Sequence, residues 1–126
     1  MDSQMKTAHR NNLIGIPLGD IAGVGPEIVV MALAQPAIYE VAQPLVIGEL
    51  SALRRALRIT GLNNLEIQAI TNPAEGRYQH GCIDLVDLAN IDARWAPFGQ
   101  AQAEAGRAAY EFIVKAVELC QAGQIH

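Results

Sequence analysis

Five residues near the start of the chain combine glycine with acidic side chains at a spacing that could build a ligand site. The stretch Gly-Asp-Ile-Ala-Gly-Val-Gly-Pro-Glu follows one apolar run and precedes another. Glycines let a ligand approach the backbone, and a helix that begins at such a turn offers its free N–H groups. The candidate site residues are Gly19, Asp20, Gly23, Gly25 and Glu27.

Two familiar phosphate-binding motifs do not fit this stretch. A P-loop needs a lysine after its last glycine, and the dinucleotide fingerprint needs glycine or alanine where this chain has Ile28. Asp20 and Glu27 would repel an anion, and Glu27 already complements the positive end of the following helix. Ribose hydroxyls, a cationic nicotinamide ring or a structural arginine suit these carboxylates better. A turn built only for tight packing is the alternative.

The other residues that could do chemistry are scattered along the sequence. The histidines have no metal-ligand spacing and are interpreted as incidental; they are His9, His80 and His126. Three aspartates are predicted to be solvent-facing acids along a strand edge rather than a metal site; they are Asp84, Asp87 and Asp92. Both cysteines, Cys82 and Cys120, are expected to be reduced and buried.

Composition indicates a small globular protein in the cytoplasm. The chain has 126 residues, 51% hydrophobic and 17% charged, with a net charge of -4. The arginines at 54, 55 and 58 are interpreted as a solvated helix face, because nucleic-acid binding needs a broader basic surface. No apolar run approaches the ~18 residues that a membrane span needs. Residues 1–12 are predicted to be a disordered polar tail, and residues 13–126 form the folded part.

Alternating strand and helix patterns predict an α/β fold with a largely parallel sheet. Strands are predicted at 13–17, 44–48, 65–70 and 82–88, and helices at 26–34, 51–61 and 100–121. Ser51 is the expected N-cap of the second helix, and Gly61 is its expected end.

The last helix carries the longest periodic pattern. A stripe of apolar and small residues is predicted to face the core: Ala105, Ala108, Ala109, Phe112, Ile113, Ala116, Val117 and Cys120. Arg107, Glu111 and Lys115 could form i,i+4 ion pairs on the opposite side. Gly106 in mid-helix indicates close packing against a neighbour.

The stretch from Gly19 to Glu27 resembles the opening motif of the 4-hydroxythreonine-4-phosphate dehydrogenase family, with Ile21 where the family usually has proline. A second stretch, from Phe98 to Gly123, is similar to that family's Gly-x6-Gly-x-Ala-Ala helix. The two matches stand in the family's order, so the resemblance covers Leu13 to His126. A shorter relative of the first motif opens the isocitrate and isopropylmalate dehydrogenases, which share the fold.

The resemblance implies a three-layer α/β/α fold and an NAD-dependent oxidation. The substrate would be the secondary alcohol of a small 4-phosphorylated hydroxy acid, with loss of CO₂ afterwards. In one branch of the family the substrate is 4-phosphohydroxythreonine, on the route to pyridoxal phosphate. In a sister branch it is 4-phosphothreonate or 4-phosphoerythronate, and the stretch from Gly99 to Gln102 slightly favours this sister branch. The resemblance also implies a divalent metal (Zn, Mg or Co) and a homodimer whose active site lies between two domains. It implies no nucleic-acid partner and no membrane partner.

The family's later segments, which carry its metal and phosphate ligands, have no counterpart in these residues. We therefore expect an N-terminal portion of the dehydrogenase that is inactive alone, with no catalytic residue and no metal ligand in this chain. What the resemblance transfers is the glycine turn, as a cleft wall beside NAD. Gly23 and Gly25 are expected to adopt positive φ or to face the ligand. The alternative is a stand-alone noncatalytic α/β domain for binding or assembly.

Overall fold

In the part of the chain that the structure describes, the sheet has four parallel strands, and their order across the sheet differs from their order in the sequence. The computed structural model describes residues 12–95 and 103–126, with Trp95 described by its backbone alone. The strands are β1 (Leu13–Pro17), β2 (Gln43–Gly48), β3 (Glu66–Ile70) and β4 (Cys82–Asp87). Their order across the sheet is β1-β2-β4-β3, and every neighbouring pair is parallel. The predicted parallel α/β sheet is therefore confirmed, with boundaries that differ by a residue or so.

Within residues 12–95 and 103–126, four α-helices connect or cover these strands. They are α1 (Gly25–Leu33), α2 (Pro36–Val41), α3 (Leu50–Thr60) and α4 (Ala103–Gln121). Gly61 ends α3 as predicted, with a left-handed φ of 73°. The predicted N-cap at Ser51 is wrong, because Glu49 occupies that position and its carboxylate accepts hydrogen bonds from the backbone N–H groups of Ser51 and Ala52.

The helices lie in two layers on either side of the sheet. The connections from β1 to β2 and from β2 to β3 cross the sheet in one direction, and right-handed crossovers then place their helices on one face. In agreement, α1 packs against α3. The chain reverses direction from β3 to β4. After β4, helix α4 packs against β1 and β2 and makes no comparable contact with α1 or α3, so it lies on the other face. The result is the three-layer α/β/α arrangement that was expected.

The core lies between the central strands and these helices. Leu45, Val46 and Ile47 of β2 and Leu85 of β4 are fully buried, because both strands have a neighbouring strand on each side and β2 also packs against α2 and α4. The edge strand β1 is only partly buried, so its prediction as a buried strand is corrected. At the outer edge of β1, the backbone N–H of His126 donates to the carbonyl of Leu13 at 2.7 Å.

The orientation of α4 differs from the predicted stripe. Ala105, Ala108 and Phe112 are buried as expected, and Leu119, which was not predicted, is buried with them. Ile113 and Val117 are instead about half exposed, at 52% and 48%. The face of α4 that contacts the sheet is thus narrower than the apolar pattern indicated.

Two further expectations for α4 are wrong. Among the described residues, a Cβ added at Gly106 would have no neighbouring atom within 4 Å, so this part of the chain supplies no closely packed partner for the glycine. Glu111 accepts a hydrogen bond from the amide of Asn90 at 2.7 Å instead of pairing with Arg107 or Lys115. Among the described residues, no helix has the length and apolar character required to cross a membrane.

Candidate functional site

The glycine turn leaves the carboxyl end of β1 and leads into α1. Gly19 has φ of +84°, a conformation that other residues adopt only with strain. A Cβ at Gly25 would lie 2.8 Å from the backbone oxygen of Leu18, so this glycine allows the start of α1 to pack against the end of the strand. Gly23 is exposed and has neither constraint. The positive φ expected at Gly23 or Gly25 is therefore found at Gly19 instead.

Asp20 lies on the exposed surface of this turn. One carboxylate oxygen, Oδ1, accepts a hydrogen bond from the backbone N–H of Ala22 at 2.8 Å. The backbone carbonyl of Asp20 accepts another from Gly23 at 3.0 Å. Within the described residues Oδ2 has no bonding partner. Asp20 thus shapes the turn with one oxygen and leaves the other available to a ligand outside.

Glu27 points into the protein rather than along the surface. Its Oε2 is buried and makes no hydrogen bond to the described residues. Glu27 interacts electrostatically with Arg55 on α3: burial lowers the pKa of this guanidinium, and the negative charge of Glu27 opposes that shift. A structural arginine, one of the partners expected for these carboxylates, is therefore the electrostatic neighbour of Glu27.

Arg55 joins three segments at the carboxyl edge of the sheet. From α3, its Nη2 donates to the backbone carbonyl of Ile21 in the glycine turn at 2.6 Å. Its Nη1 donates to the carbonyl of Ala93, in the short turn after β4, at 2.7 Å. The interpretation of Arg55 as part of a solvated face is wrong, since this side chain fixes the glycine turn relative to α3 and to the turn after β4.

A polar cleft opens beside Arg55, where β2 and β4 end. Its volume is about 550 Å³. Glu49, only 7% exposed, forms part of its wall and caps α3. The hydroxyl of Ser51 donates to Glu49 and accepts a hydrogen bond from the backbone N–H of Ala93 at 2.9 Å. The α3 start and the turn after β4 are thereby held together along one wall.

Both acidic and basic side chains line the rest of this cleft. Asp87 accepts hydrogen bonds from the backbone N–H groups of Leu50 and Ala89, at 3.2 and 3.0 Å. Asp92 pairs with Arg94 at 2.7 Å, and this contact lowers the pKa of the aspartate. Arg54 and Arg58 complete the lining from the exposed side of α3.

The prediction of solvent-facing aspartates is wrong for Asp84, the first of the three. Asp84 is 1% exposed, and its two oxygens accept hydrogen bonds from the backbone N–H groups of Arg77 and Tyr78 at 3.0 and 2.8 Å. It lies on β4 between two neighbouring strands, where the turn before the strand folds back onto it. Asp84 is thus a structural anchor for that turn.

The remaining candidates do not converge on a site. Cys82 is buried as expected, whereas Cys120 is exposed on α4 and that expectation is wrong. His80 and His126 are exposed, and His9 lies outside the described residues. Within residues 12–95 and 103–126, no three His, Cys, Asp or Glu side chains are grouped so that they could hold a metal ion. The divalent metal implied by the resemblance therefore has no fitting ligand set in this part of the chain.

Sequence reasoning identified the glycine turn but missed the contacts that connect it to the cleft. Arg55 and Ala93 are 38 positions apart, and Arg55 and Ile21 are 34 apart. No local pattern predicts such a bond. A local clue did exist for Glu49, because an acid directly before a helix can accept hydrogen bonds from its first N–H groups.

Family and sequence comparisons agree on the relationship. Residues 40–126 match the model of the family described as pyridoxal phosphate biosynthetic protein PdxA. A Symbiobacterium thermophilum protein provisionally named D-threonate 4-phosphate dehydrogenase is 44% identical over 113 residues, which are 90% of this chain and 33% of that protein. A Clostridium botulinum protein with the same name is 43% identical over 90% of this chain and 34% of its own length.

Solved structures have the same fold over the same part of the chain. A 4-hydroxythreonine-4-phosphate dehydrogenase from Burkholderia phymatum superposes with a TM-score of 0.85 and 47% identity, over 90% of this chain and 34% of that one. The enzyme of that name from Klebsiella pneumoniae gives 0.82 and 31%, over 91% and 34%. The chain thus spans about a third of the length of the relatives it matches.

Proposed function

The chain belongs to the PdxA family of pyridoxal phosphate biosynthetic proteins, and on that basis we propose that it forms part of an NAD-dependent dehydrogenase. The reaction is the oxidation of a secondary alcohol on a small 4-phosphorylated hydroxy acid, followed by loss of CO₂. The observation that carries the proposal is the agreement of sequence and fold with dehydrogenases over 90% of the chain, glycine turn included. A homodimer in the cytoplasm is part of the same proposal.

The substrate is proposed to be D-threonate 4-phosphate or its close analogues. The relatives from Symbiobacterium and Clostridium carry that name, whereas the solved structures are named for 4-hydroxythreonine 4-phosphate. Both molecules present a hydroxyl group beside a carboxyl-bearing carbon and a phosphate at the far end. The slight preference from Gly99 to Gln102 supports threonate, and those residues lie outside the described part of the chain.

The chain's own contribution is proposed to be one wall of the cofactor cleft. NAD, when bound, accepts the hydride that leaves the alcohol. The exposed surface of the glycine turn fits a ribose, because Asp20 has one oxygen unengaged within the described residues and Gly23 adds no side chain beside it. Glu27 acts from inside the protein by supporting Arg55, which holds the turn in place.

A segment transplant tests this function. The matched segment of the Symbiobacterium relative is replaced by the corresponding residues of this chain, and NAD reduction is measured with D-threonate 4-phosphate and a divalent metal. We expect turnover within about tenfold of the unaltered relative, equivalent to ~1.4 kcal/mol of transition-state stabilisation. The 126-residue chain alone should give no turnover, since it spans a third of the relatives' length.

The opposite result is equally clear. If the transplant folds with the melting temperature of the relative and yet reduces no NAD with D-threonate 4-phosphate or 4-phosphohydroxythreonine, the proposal fails. A stand-alone noncatalytic domain would then be the better description of this chain.

A further inference from the structure

We propose that the polar cleft at the ends of β2 and β4 is a second ligand site, which binds a phosphate-bearing metabolite through Arg54 and Arg58. This site is separate from the glycine turn. It is inferred from the geometry of this chain and does not depend on the dehydrogenase assignment.

The position of the cleft in the sheet is the first reason. β2 and β4 are neighbours, but the chain leaves β2 toward α3 on one face and leaves β4 toward α4 on the other. In open α/β sheets such a switch point separates the two connections and leaves a crevice at the carboxyl ends of the strands, where ligands bind. A volume of about 550 Å³ lies within the range of roughly 300–1,000 Å³ that small-molecule sites have.

The acids of the cleft are already engaged, and this is the second reason. Glu49 is buried and bonded to the start of α3. Asp87 accepts two backbone hydrogen bonds, both on Oδ1, and Asp92 is paired with Arg94. Each of the three carboxylates therefore directs part of its charge toward donors of the protein and opposes an incoming anion less than a carboxylate without such bonds.

Two of the three arginines of α3, Arg54 and Arg58, are not engaged by the described residues. Arg54 and Arg58 are exposed, four residues apart on one side of the helix, and both line the cleft. Within the described residues neither takes part in an ion pair or a hydrogen bond. A guanidinium presents a planar set of donors that matches the oxygens of a phosphate, so two adjacent ones form a site for one phosphate or for a pyrophosphate.

The base of the cleft is fixed, and this favours binding. Arg55 lies between the two exposed arginines in sequence and is bonded to both the glycine turn and the turn after β4. Ser51 adds a second connection to Ala93. A ligand would therefore meet a preformed cleft and would have to order only the side chains of Arg54 and Arg58.

The test is a titration of the 126-residue chain with inorganic pyrophosphate at low salt. Binding is followed by calorimetry and by the NMR signals of the arginine Nε–H groups. We expect saturable binding that moves the signals of Arg54 and Arg58. The double variant Arg54→Gln/Arg58→Gln should weaken binding by about tenfold or more, as expected for lost charge-assisted hydrogen bonds. Its melting temperature should not change, because both side chains are exposed.

The matched control removes the same charge from the other layer of the protein. Arg107 is exposed and Lys115 is half-buried. Arg107→Gln/Lys115→Gln on α4 should change the affinity by less than about twofold, because charges on the far side of the sheet are screened. Equal losses in the two double variants, or no saturable binding by the unaltered chain, would overturn the proposal.

A competition experiment identifies the source of the phosphate. Displacement of pyrophosphate by ADP-ribose would assign the cleft to a dinucleotide, and displacement by D-threonate 4-phosphate would assign it to a small phosphorylated acid. If neither compound displaces pyrophosphate, the cleft does not bind a phosphate-bearing metabolite of either kind and the assignment is wrong. Turnover is not measured, so this outcome is independent of the proposed function.

Discussion

Arg55 shows how a single side chain can connect loops that are remote in sequence. Its guanidinium donates to the carbonyls of Ile21 and Ala93, at 2.6 and 2.7 Å, and Glu27 supplies negative charge nearby. Two separate nitrogens of the guanidinium, Nη1 and Nη2, each bond one of these carbonyls, and the single nitrogen of a lysine on a differently shaped side chain does not reproduce that geometry. The glycine turn therefore depends on α3 for its position, although the two segments are more than 20 residues apart.

Replacing Arg55 by lysine should separate geometry from charge. Arg55→Lys keeps the positive charge near Glu27 but cannot bond both carbonyls, so we expect the chain to lose about 1–3 kcal/mol of stability, the scale of one hydrogen bond from a charged group. Arg54→Lys on the same helix is the control and should stay within ~0.5 kcal/mol, because that side chain is exposed. The measurement is urea unfolding; equal midpoints for both variants would rule out the bridging role.

The role of a residue was predictable where it depends on neighbours in the sequence. It was not predictable where it depends on contacts with remote segments. Glycine adopts the left-handed φ of a helix C-cap without strain, so the position of Gly61 in the sequence predicted the end of α3. Asp84 was misplaced because its burial depends on the turn at Arg77 and Tyr78 folding back onto β4. Nothing in the strand itself distinguishes an aspartate that anchors a turn from one that faces solvent.

At the scale of elements, the glycine turn combines two different requirements. Gly19 supplies a positive φ, and Gly25 allows α1 to start against the carbonyl of Leu18. Gly23 has no such constraint from the described residues, so its lack of a side chain matters only to whatever lies outside the turn.

This difference predicts opposite behaviour for two alanine variants of the same turn. Gly25→Ala brings a Cβ to 2.8 Å from the Leu18 oxygen and should cost about 1–3 kcal/mol, as overpacking does. Gly23→Ala should leave stability within about 1 kcal/mol of the unaltered chain, since reduced freedom of the unfolded chain offsets small strain. Thermal unfolding of both variants checks this, and a larger loss at Gly23 than at Gly25 would contradict the assignment.

The same division between local and remote causes applies to α4. Its existence was clear from a long apolar pattern, and its end was predicted correctly at Gln121. The orientation of α4 was not predicted correctly, because the broad apolar pattern permits more than one rotation of the helix against the sheet. Leu119 is buried while Ile113 and Val117 are half exposed, which the packing of α4 on β1 and β2 determines.

At the scale of the molecule, the sequence order of its elements determined the fold class. Strands alternating with helices predicted the parallel sheet, but the order β1-β2-β4-β3 depends on contacts between strands that no pattern reports. The polar cleft between β2 and β4 exists only because of that order. This is why the sequence indicated the glycine turn as a site and gave no sign of the cleft beside Arg54 and Arg58.

The cofactor role of the glycine turn also belongs to this scale, because it requires the complete enzyme. Asp20→Asn in the segment transplant keeps the oxygen that accepts from Ala22 and removes only the charge. If Asp20 faces the ribose or nicotinamide of NAD, the KM for NAD should rise several-fold, with an upper limit of about 1.5–3 kcal/mol for a lost charge-assisted hydrogen bond. The melting temperature of the cofactor-free protein should stay nearly unchanged, because Asp20 is exposed.

The decisive measurements are steady-state kinetics with NAD and a thermal melt, each made on the segment transplant and on its Asp20→Asn variant. Together they test whether the glycine turn contacts the cofactor. A raised KM for NAD together with an unchanged melting temperature is the predicted result. A lowered melting temperature together with an unchanged KM for NAD would show that the turn serves packing alone and that the cofactor lies elsewhere.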